Sequence, residues 1–162
     1  MIDLRWATHA DAALLLRFIR ALAEYEREPD AVRVTEQTLA RQLADDDPPF
    51  ECLIASLDGE PAGFALFFRT YSTWLGQPGI WLEDLFVAPE ARRRGVGRAL
   101  LQRLAAIAEE RACGRLEWSV LEWNQPAIEF YASLGAKLMD DWRICRVTGA
   151  GIATMQRITR SD

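Results

Sequence analysis

The stretch GIWLEDLFVAPEARRRGVGRALLQRL, residues 79–104, decides the fold of this chain. Residues 80–87 are apolar on both side-chain faces, which is typical of a strand covered on both sides of a sheet. Glu83 and Asp84 interrupt this strand, and Pro89 ends it because proline has no N–H to donate to a neighbouring strand. Two adjacent carboxylates are costly to desolvate without partners or a task, so they mark a candidate site.

The sequence RRRGVG, residues 92–97, lies between this strand and a predicted helix. Its glycines let the backbone pass close to a ligand, and the first N–H groups of the helix are unpaired donors at the positive end of the helix dipole. This arrangement is typical of an anion site and suits a pyrophosphate. Two other phosphate loops are excluded, since Leu100 replaces the third glycine of a dinucleotide-binding loop and no Gly-Lys-Ser/Thr sequence follows. A helix that merely begins with glycines is the alternative interpretation.

Length and composition fit a single globular domain over residues 1–162, with half of the residues hydrophobic and 27% charged. The net charge of −5 argues against nucleic acid as a partner and favours a cationic small substrate. Three widely spaced cysteines and a single histidine indicate neither a disulfide framework nor a metal site, which fits a cytoplasmic setting. The N-terminus has no signal-peptide pattern and no apolar run approaches ~20 residues, so we expect no membrane partner.

Hydrophobic periodicity and turn residues predict an α+β order, in which an antiparallel meander precedes two parallel crossover units. Asp58-Gly59 predicts a hairpin turn, and Asn124 with Pro126 predicts a helix start. Residues 71–79 are predicted to be a long, turn-rich connection that could line a pocket. The predicted strands are residues 2–6, 50–57, 61–69, 80–87 and 115–121 and a segment from Met139 onward. The predicted helices run from Thr8 to about residues 26–28, over 35–44, after residue 96 and over 127–134, with a small helix or tail at the C-terminus.

Arg-x-x-Gly-x-Gly at residues 92–97, directly after a strand, resembles the acetyl-CoA-binding motif of the GCN5-related N-acetyltransferases, the GNAT superfamily. Four further stretches are similar to its spermidine/spermine (diamine) and thialysine acetyltransferase branch, so that the resemblance covers nearly the whole chain. They are LEDLFV at 82–87, EWNQPAIEFY at 122–131, LAEYE at 22–26 and YSTW at 71–74. The resemblance implies one GNAT-type domain with about four helices and a mixed sheet of about six to seven strands. The central strand and the next are expected to splay apart around the pantetheine arm of acetyl-CoA.

In this family the backbone amides of the glycine loop hold the pyrophosphate of coenzyme A, so the resemblance implies acetyl-CoA as the cofactor. The N–H near Leu85 is expected to polarise the acetyl carbonyl, a contribution of roughly 3 kcal/mol at comparable sites. Asn124 matches a cofactor-contacting asparagine, although a helix N-cap explains it nearly as well. No metal is required, because the thioester is already activated. The residues expected to contact acetyl-CoA are Leu85, Phe86, Val87, Arg92, Arg93, Arg94, Gly95, Val96, Gly97, Arg98, Asn124 and Tyr131.

The chemistry needs an acid and a base. A primary amine has an ordinary pKa of ~10, so it must lose a proton before it attacks a thioester. By resemblance Glu83 is the expected general base, and a buried acid satisfied by backbone N–H groups is the alternative. The departing sulfur, with a thiol pKa of ~8.5, needs a proton, and Tyr131 matches the family's general acid. An aromatic packing residue is the alternative for Tyr131.

The resemblance implies that Glu26 and Asp84 bind the distal ammonium of the acceptor, with Tyr25 and Trp74 nearby and Glu83 beside the reacting amine. Plain surface charge is the alternative for the acids that end the first helix, and a sheet-edge cover is the alternative for Trp74. The splay depends on a bulge in the central strand. A strict period of two would put Glu83 and Asp84 on opposite faces, so a bulge would alter where each carboxylate points.

The polyamine acetyltransferases tend to carry Asp-Pro before the tryptophan of this loop, where this chain has Ser72-Thr73. One cation contact is therefore missing, and the Ser-Thr-Trp form resembles relatives that prefer thialysine or other short amines. We therefore expect a small diamine or lysine-like acceptor. A protein or peptide N-acetyltransferase is the nearest alternative, and a non-catalytic acyl-CoA-binding regulator is a third that Glu83 and Tyr131 argue against. The resemblance also implies a two-fold homodimer that forms through the C-terminal segment around Trp142.

Overall fold

Five strands form one mixed sheet in the computed structural model, which describes residues 1–157. They lie side by side in chain order, and all neighbours are antiparallel except the last pair, which is parallel. The strands are β1 (Ile2–Trp6), β2 (Glu51–Leu57), β3 (Glu60–Ser72), β4 (Gln77–Val87) and β5 (Arg115–Trp118). The helices are α1 (Ala12–Tyr25), α2 (Glu36–Leu43), α3 (Val96–Glu110), α4 (Gln125–Ala132) and α5 (Ala150–Arg157). The predicted α+β class is confirmed, although the described residues hold five strands and five helices rather than six to seven strands and about four helices.

The contacts between residues divide the chain into two units, Met1–Leu121 and Glu122–Asp162. The first unit contains the whole sheet together with α1, α2 and α3. The second unit contains α4 and α5. The acidic strand β4 and the glycine loop that follows it therefore belong to the same unit.

Both faces of the sheet are buried at its centre, as the sequence of β4 predicts. Phe64 and Phe67 of β3 point to opposite faces because they are three residues apart, and both are fully buried. Phe18 of α1 stacks on Phe64 at 6.0 Å between ring centroids and packs against Phe86 of β4 at 5.6 Å. α1 therefore covers the Phe64 face. α3 also contacts β3 and β4. Its N-cap, Gly95, lies close to Ile2, which shares a face of the sheet with Trp6 and Phe67, so α3 covers the Phe67 face.

A β-bulge interrupts β4 at Glu83. Leu66 of β3 lies opposite Asp84, whereas the next residue, Phe67, lies opposite Leu82. Glu83 is therefore the one extra residue that β3 leaves unpaired. This confirms the bulge that the resemblance implies in the central strand.

The bulge determines where the second carboxylate points. Asp84 lies opposite Leu66, and Phe86 lies opposite Phe64, so all four side chains lie on one face of the sheet. This is the face that Phe18 of α1 covers. Asp84 therefore points toward α1, and Glu83 is the bulged residue directly before it.

β4 and β5 pair over a short stretch and then separate. Their pairing begins with Gly79 opposite Arg115 and ends with Leu82 opposite Trp118, while β4 continues to Val87. In the described part of the chain, no other strand pairs with that side of β4. The sheet is therefore open beside residues 83–87, at the position where the splay is expected.

Short-range signals determine where several elements begin and end. Asp58 (φ 54°) and Gly59 (φ 93°) form the predicted turn between β2 and β3, in the left-handed conformation that Asp-Gly accepts. The Thr35 hydroxyl accepts a hydrogen bond from the Thr38 N–H at 3.2 Å and caps α2. α1 ends at Tyr25, close to its predicted end. No helix within residues 1–157 is long and apolar enough to cross a bilayer.

The prediction of a long connection over residues 71–79 is wrong. β3 and β4 remain paired up to Ser72 opposite Gln77, so only four residues separate the two strands. The Ser72 side chain is buried, and its hydroxyl accepts a hydrogen bond from the Leu75 N–H at 3.2 Å. Ser72 therefore stabilises a tight hairpin turn, a function that its position in a polar stretch does not reveal.

The predicted strand from Met139 onward is also wrong, and β5 ends at Trp118 rather than at residue 121. Among residues 133–149 no strand is present, and Trp142 and Ile144 are each 65% exposed. Alternating apolar residues form a strand only where a neighbouring strand accepts their backbone hydrogen bonds. The predicted C-terminal helix is α5, and residues 158–162 lie outside the described residues.

Candidate active site

The charges of Glu26 and Glu83 both act on Asp84 at the bulge of β4, and we call these three carboxylates the acid cluster. Glu26 is the C-cap of α1, and Asp84 is a partly buried residue on the face that α1 covers. Burial, together with the charges of Glu83 and Glu26, raises the pKa of Asp84 to about 6. Burial also raises the pKa of Glu26. The structure thus brings together the three acids that the sequence predicts for the acceptor site.

Glu83 is the exposed member of the acid cluster. The indole Nε1 of Trp81 donates a hydrogen bond to Glu83 Oε2 at 2.8 Å. Within residues 1–157 no backbone N–H donates to this carboxylate, so it is not the buried, backbone-satisfied acid of the alternative interpretation. Sequence reasoning missed Trp81, although its spacing of two residues on a strand is a signal that could have identified it.

The edge of β4 beyond the bulge presents backbone groups to the opening in the sheet. The Ala88 N–H donates to the Ala62 carbonyl of the β3 side at 2.9 Å, so residue 88 faces β3. Backbone groups alternate along a strand, and Leu85 and Val87 therefore face away from β3. The Val87 carbonyl accepts a hydrogen bond from Arg92 Nε at 3.2 Å, which agrees with this orientation. The N–H of Leu85 thus points into the opening, as the predicted role in polarising a carbonyl requires.

The glycine loop has the backbone of an anion site. Arg93 (φ 60°) and Gly95 (φ 89°) both have left-handed backbone, and α3 begins directly afterwards at Val96. Alternation of this kind turns successive N–H groups toward one point, and the N–H groups of the first turn of α3 add to them. The Arg94 guanidinium forms an ion pair with Asp58 at 2.7 Å, which ties the loop to the β2–β3 turn. These features fit the pyrophosphate of acetyl-CoA.

The two predicted site residues of the second unit lie on and beside α4. The Asn124 side chain accepts a hydrogen bond from the Ala127 N–H at 3.4 Å, so the helix-capping interpretation of Asn124 holds. The Tyr131 ring lies 5.5 Å from the Phe130 ring. The roles of Asn124 toward the cofactor and of Tyr131 as general acid stay predictions.

The remaining predicted residues, Trp74 and Tyr25, differ in their surroundings. Trp74 lies at the tip of the β3–β4 hairpin and is 87% exposed, so it does not cover a sheet edge. Its substrate role stays a prediction. The Tyr25 ring lies under the guanidinium of Arg92, 4.8 Å from ring centroid to Cζ, a contact that no sequence signal indicates. In the described part of the chain, no three or more His, Cys, Asp or Glu side chains are arranged so that they could hold a metal ion.

Residues 15–136 match the model of the Acetyltransferase (GNAT) family. The chain belongs to the GNAT family. Over 157 residues it is 36% identical to the thialysine N-epsilon-acetyltransferase of Sus scrofa, with 90% of this chain and 92% of the relative covered. Over 97 residues it is 40% identical to L-ornithine N5-acetyltransferase NATA1 of Arabidopsis thaliana, with 60% of this chain and 42% of the relative covered.

A solved structure shares the fold of this chain. The integron cassette protein VCH_CASS6 of V. cholerae superposes with a TM-score of 0.80 at 25% identity, over 97% of this chain and 98% of that one. The predicted superfamily and its thialysine and diamine branch are thus confirmed. This GNAT protein is an N-acetyltransferase, and GNAT acetyltransferases take their acetyl group from acetyl-CoA.

The raised pKa of Asp84 predicts a pH-dependent effect of Asp84→Asn on stability. The pKa is about 6 in the folded chain against an ordinary 3.8, so the buried charge costs nothing below about pH 4 and its full amount above about pH 6. The substitution should therefore leave the free energy of unfolding unchanged near pH 4 and raise it by about 3 kcal/mol near pH 8. Urea denaturation across this pH range measures the difference. The exposed Glu109→Gln is the control, and a gain from Asp84→Asn that is equal at both pH values would contradict the assignment.

Proposed function

We propose that this GNAT enzyme transfers the acetyl group of acetyl-CoA to the primary amine of a small cationic acceptor, either a short diamine or a lysine-like amino acid. The acid cluster is the observation that carries the proposal. Glu83 and Glu26 both repel the charge of Asp84, and a cationic ligand relieves that repulsion. An acceptor with a second ammonium group would supply the compensating charge, and its free amine would remain for the reaction.

The relatives support an acceptor of this size. Two relatives are named for short acceptors, thialysine and L-ornithine. Both of those molecules carry two amino groups on a short chain. Ser72, which stands where the polyamine enzymes tend to have an acid, is buried in the hairpin turn and offers no charge. A short acceptor that needs fewer cation contacts than spermidine is consistent with this turn.

The residues around the bulge of β4 have distinct roles toward the acceptor. Glu83, exposed and oriented by the Trp81 indole at 2.8 Å, accepts the proton of the attacking amine either directly or through water. Asp84 and Glu26 hold the distal ammonium, which favours their charged forms against the cost of burial. The N–H of Leu85 donates to the carbonyl oxygen on which negative charge develops.

The donor would be held by the edge of β4 at Leu85, Phe86 and Val87 and by residues 92–98. When bound, acetyl-CoA supplies an acetyl group already activated as a thioester. The left-handed Arg93 and Gly95 direct backbone N–H groups toward its pyrophosphate. The phenol of Tyr131 holds a proton for the departing sulfur, since an ordinary phenol pKa of ~10 keeps the group protonated at neutral pH.

A panel of acceptors tests the proposal. Thiol release from acetyl-CoA should have its highest kcat/KM with thialysine, ornithine, lysine or putrescine, and a lower one with spermidine and N-terminal peptides.

Glu26→Gln should raise the acceptor KM about tenfold, since it removes one charge contact of roughly 1.4 kcal/mol, and should leave the KM of acetyl-CoA unchanged. Glu24→Gln, an exposed acid two residues earlier on α1, is the matched control.

Two results of this panel would overturn the proposal. A preference for peptides would mean that the acid cluster binds the N-terminus of a protein substrate and not a small amine. Release no faster than background hydrolysis with every acceptor would indicate a non-catalytic acyl-CoA-binding protein.

Tyr131→Phe tests the proposed acid. The substitution keeps the ring and removes the proton, so kcat should fall by about 10² to 10⁴ while the KM of acetyl-CoA changes little. Steady-state kinetics with saturating acceptor separate the two constants. Tyr71→Phe, an exposed tyrosine on β3, is the control. A large change in KM with an unchanged kcat would contradict the acid role.

A further inference from the structure

One arginine side chain joins the end of α1 to the end of β4. The guanidinium of Arg92 lies over the Tyr25 ring, with 4.8 Å from Cζ to the ring centroid. Its Nε donates to the Val87 carbonyl at 3.2 Å. Tyr25 is the last residue of α1, and Val87 is the last residue of β4. Arg92 thus connects the end of α1, beside Glu26, with the end of β4, the strand that carries Glu83 and Asp84.

The turn that follows α1 has a strained backbone, which the contact of Arg92 with Tyr25 can support. Glu26 follows Tyr25 directly, and the chain then reverses through Arg27, whose φ is 66°. A residue with a Cβ in this left-handed conformation costs roughly 1 kcal/mol or more, so the turn does not hold its shape by local preference alone. The Glu28 N–H closes the turn on the Ala23 carbonyl at 2.9 Å. These local bonds hold the backbone of the turn, and contacts such as that of Arg92 with Tyr25 place the turn against β4.

A guanidinium suits this task better than an ammonium. It is planar, so its face can stack on an aromatic ring while an N–H at its edge donates to a carbonyl. A lysine ammonium is a point charge on a flexible chain and has no such plane. The neighbouring Arg94 is engaged differently, because it pairs with Asp58 on the β2–β3 turn. Of these two arginines, Arg92 is the one that reaches α1.

We propose that Arg92 is a positioning residue that holds the end of α1, and with it Glu26, against the carboxyl end of β4, and so sets the affinity for the amine acceptor. The inference rests on the proposed function, because Glu26 must bind the acceptor for the effect to appear in catalysis. Arg92 also begins the glycine loop, so the same side chain links the acceptor-binding end of α1 to the loop proposed for the donor. Neither link requires that Arg92 touch the acceptor.

A double-mutant cycle tests the proposal in kinetics. Tyr25→Leu removes the aromatic face outside the loop, and it should raise the acceptor KM by about threefold to thirtyfold with kcat and the KM of acetyl-CoA little changed. Arg92→Ala should raise the acceptor KM to a similar extent. The double variant should be no worse than the more affected single variant, because both substitutions break one contact. Arg17→Ala, which removes an arginine lying over Phe18 elsewhere on α1, is the matched control.

Tyr25→Phe separates positioning from direct binding. Phenylalanine keeps the ring face, so its acceptor KM should lie closer to that of the wild type than to that of Tyr25→Leu. Equal effects of Phe and Leu would mean that the hydroxyl, and not the ring face under Arg92, sets the acceptor KM, and would overturn the proposal. Multiplicative effects of Tyr25→Leu and Arg92→Ala in the double variant would overturn it as well, because the two residues would then act independently.

A measurement without substrate keeps the inference distinct from the proposed function. In the ligand-free protein, amide hydrogen exchange of Glu26 and Glu28 should become several-fold faster in Arg92→Ala and in Tyr25→Leu, and should not change in Arg17→Ala. Unchanged exchange in both variants would overturn the positioning role even if the enzyme acetylates amines. Faster exchange together with no amine acetylation would leave the positioning contact intact and defeat the proposed function instead.

Discussion

The separation of β4 from β5 after Leu82 is the constraint on which the rest of the site depends. Backbone N–H and C=O groups inside a sheet need partners, and the far side of residues 83–87 has none from β5. Alternation along the strand aims the backbone of Leu85 and Val87 into that opening. A ligand with amide groups of its own can pair with such an edge as an added strand does. The pantetheine arm of acetyl-CoA has such amide groups.

In the proposed function, the bulge at Glu83 lets one strand serve both reactants. One extra residue leaves Glu83 exposed to solvent while Asp84 faces α1, and the edge beyond them resumes a regular alternation. The arrangement has a cost in stability, since burial and two neighbouring carboxylates raise the pKa of Asp84 to about 6. A strained turn at Arg27 adds to that cost. Proteins commonly retain such destabilising features where binding requires them.

Local patterns were sufficient to predict much of this architecture. The turn at Asp58-Gly59, the cap at Thr35 and the acidic strand with its glycine loop each have a chemical signature a few residues long. The resemblance then placed the bulge and identified the acids that meet beside it. What local patterns could not supply is contact between distant segments. The stacking of Arg92 on Tyr25 and the absence of a strand after Met139 both depend on which neighbours the fold provides.

We propose that the open edge of β4 and the glycine loop form one donor site. Titration of ¹⁵N-labelled protein with coenzyme A, followed by amide chemical shifts, shows whether both parts bind the donor. We expect the N–H resonances of Leu85, Val87 and Gly95 to shift together with a single dissociation constant. Shifts at the loop alone, with Leu85 and Val87 unmoved at saturation, would show that the opening in the sheet is not where the donor binds.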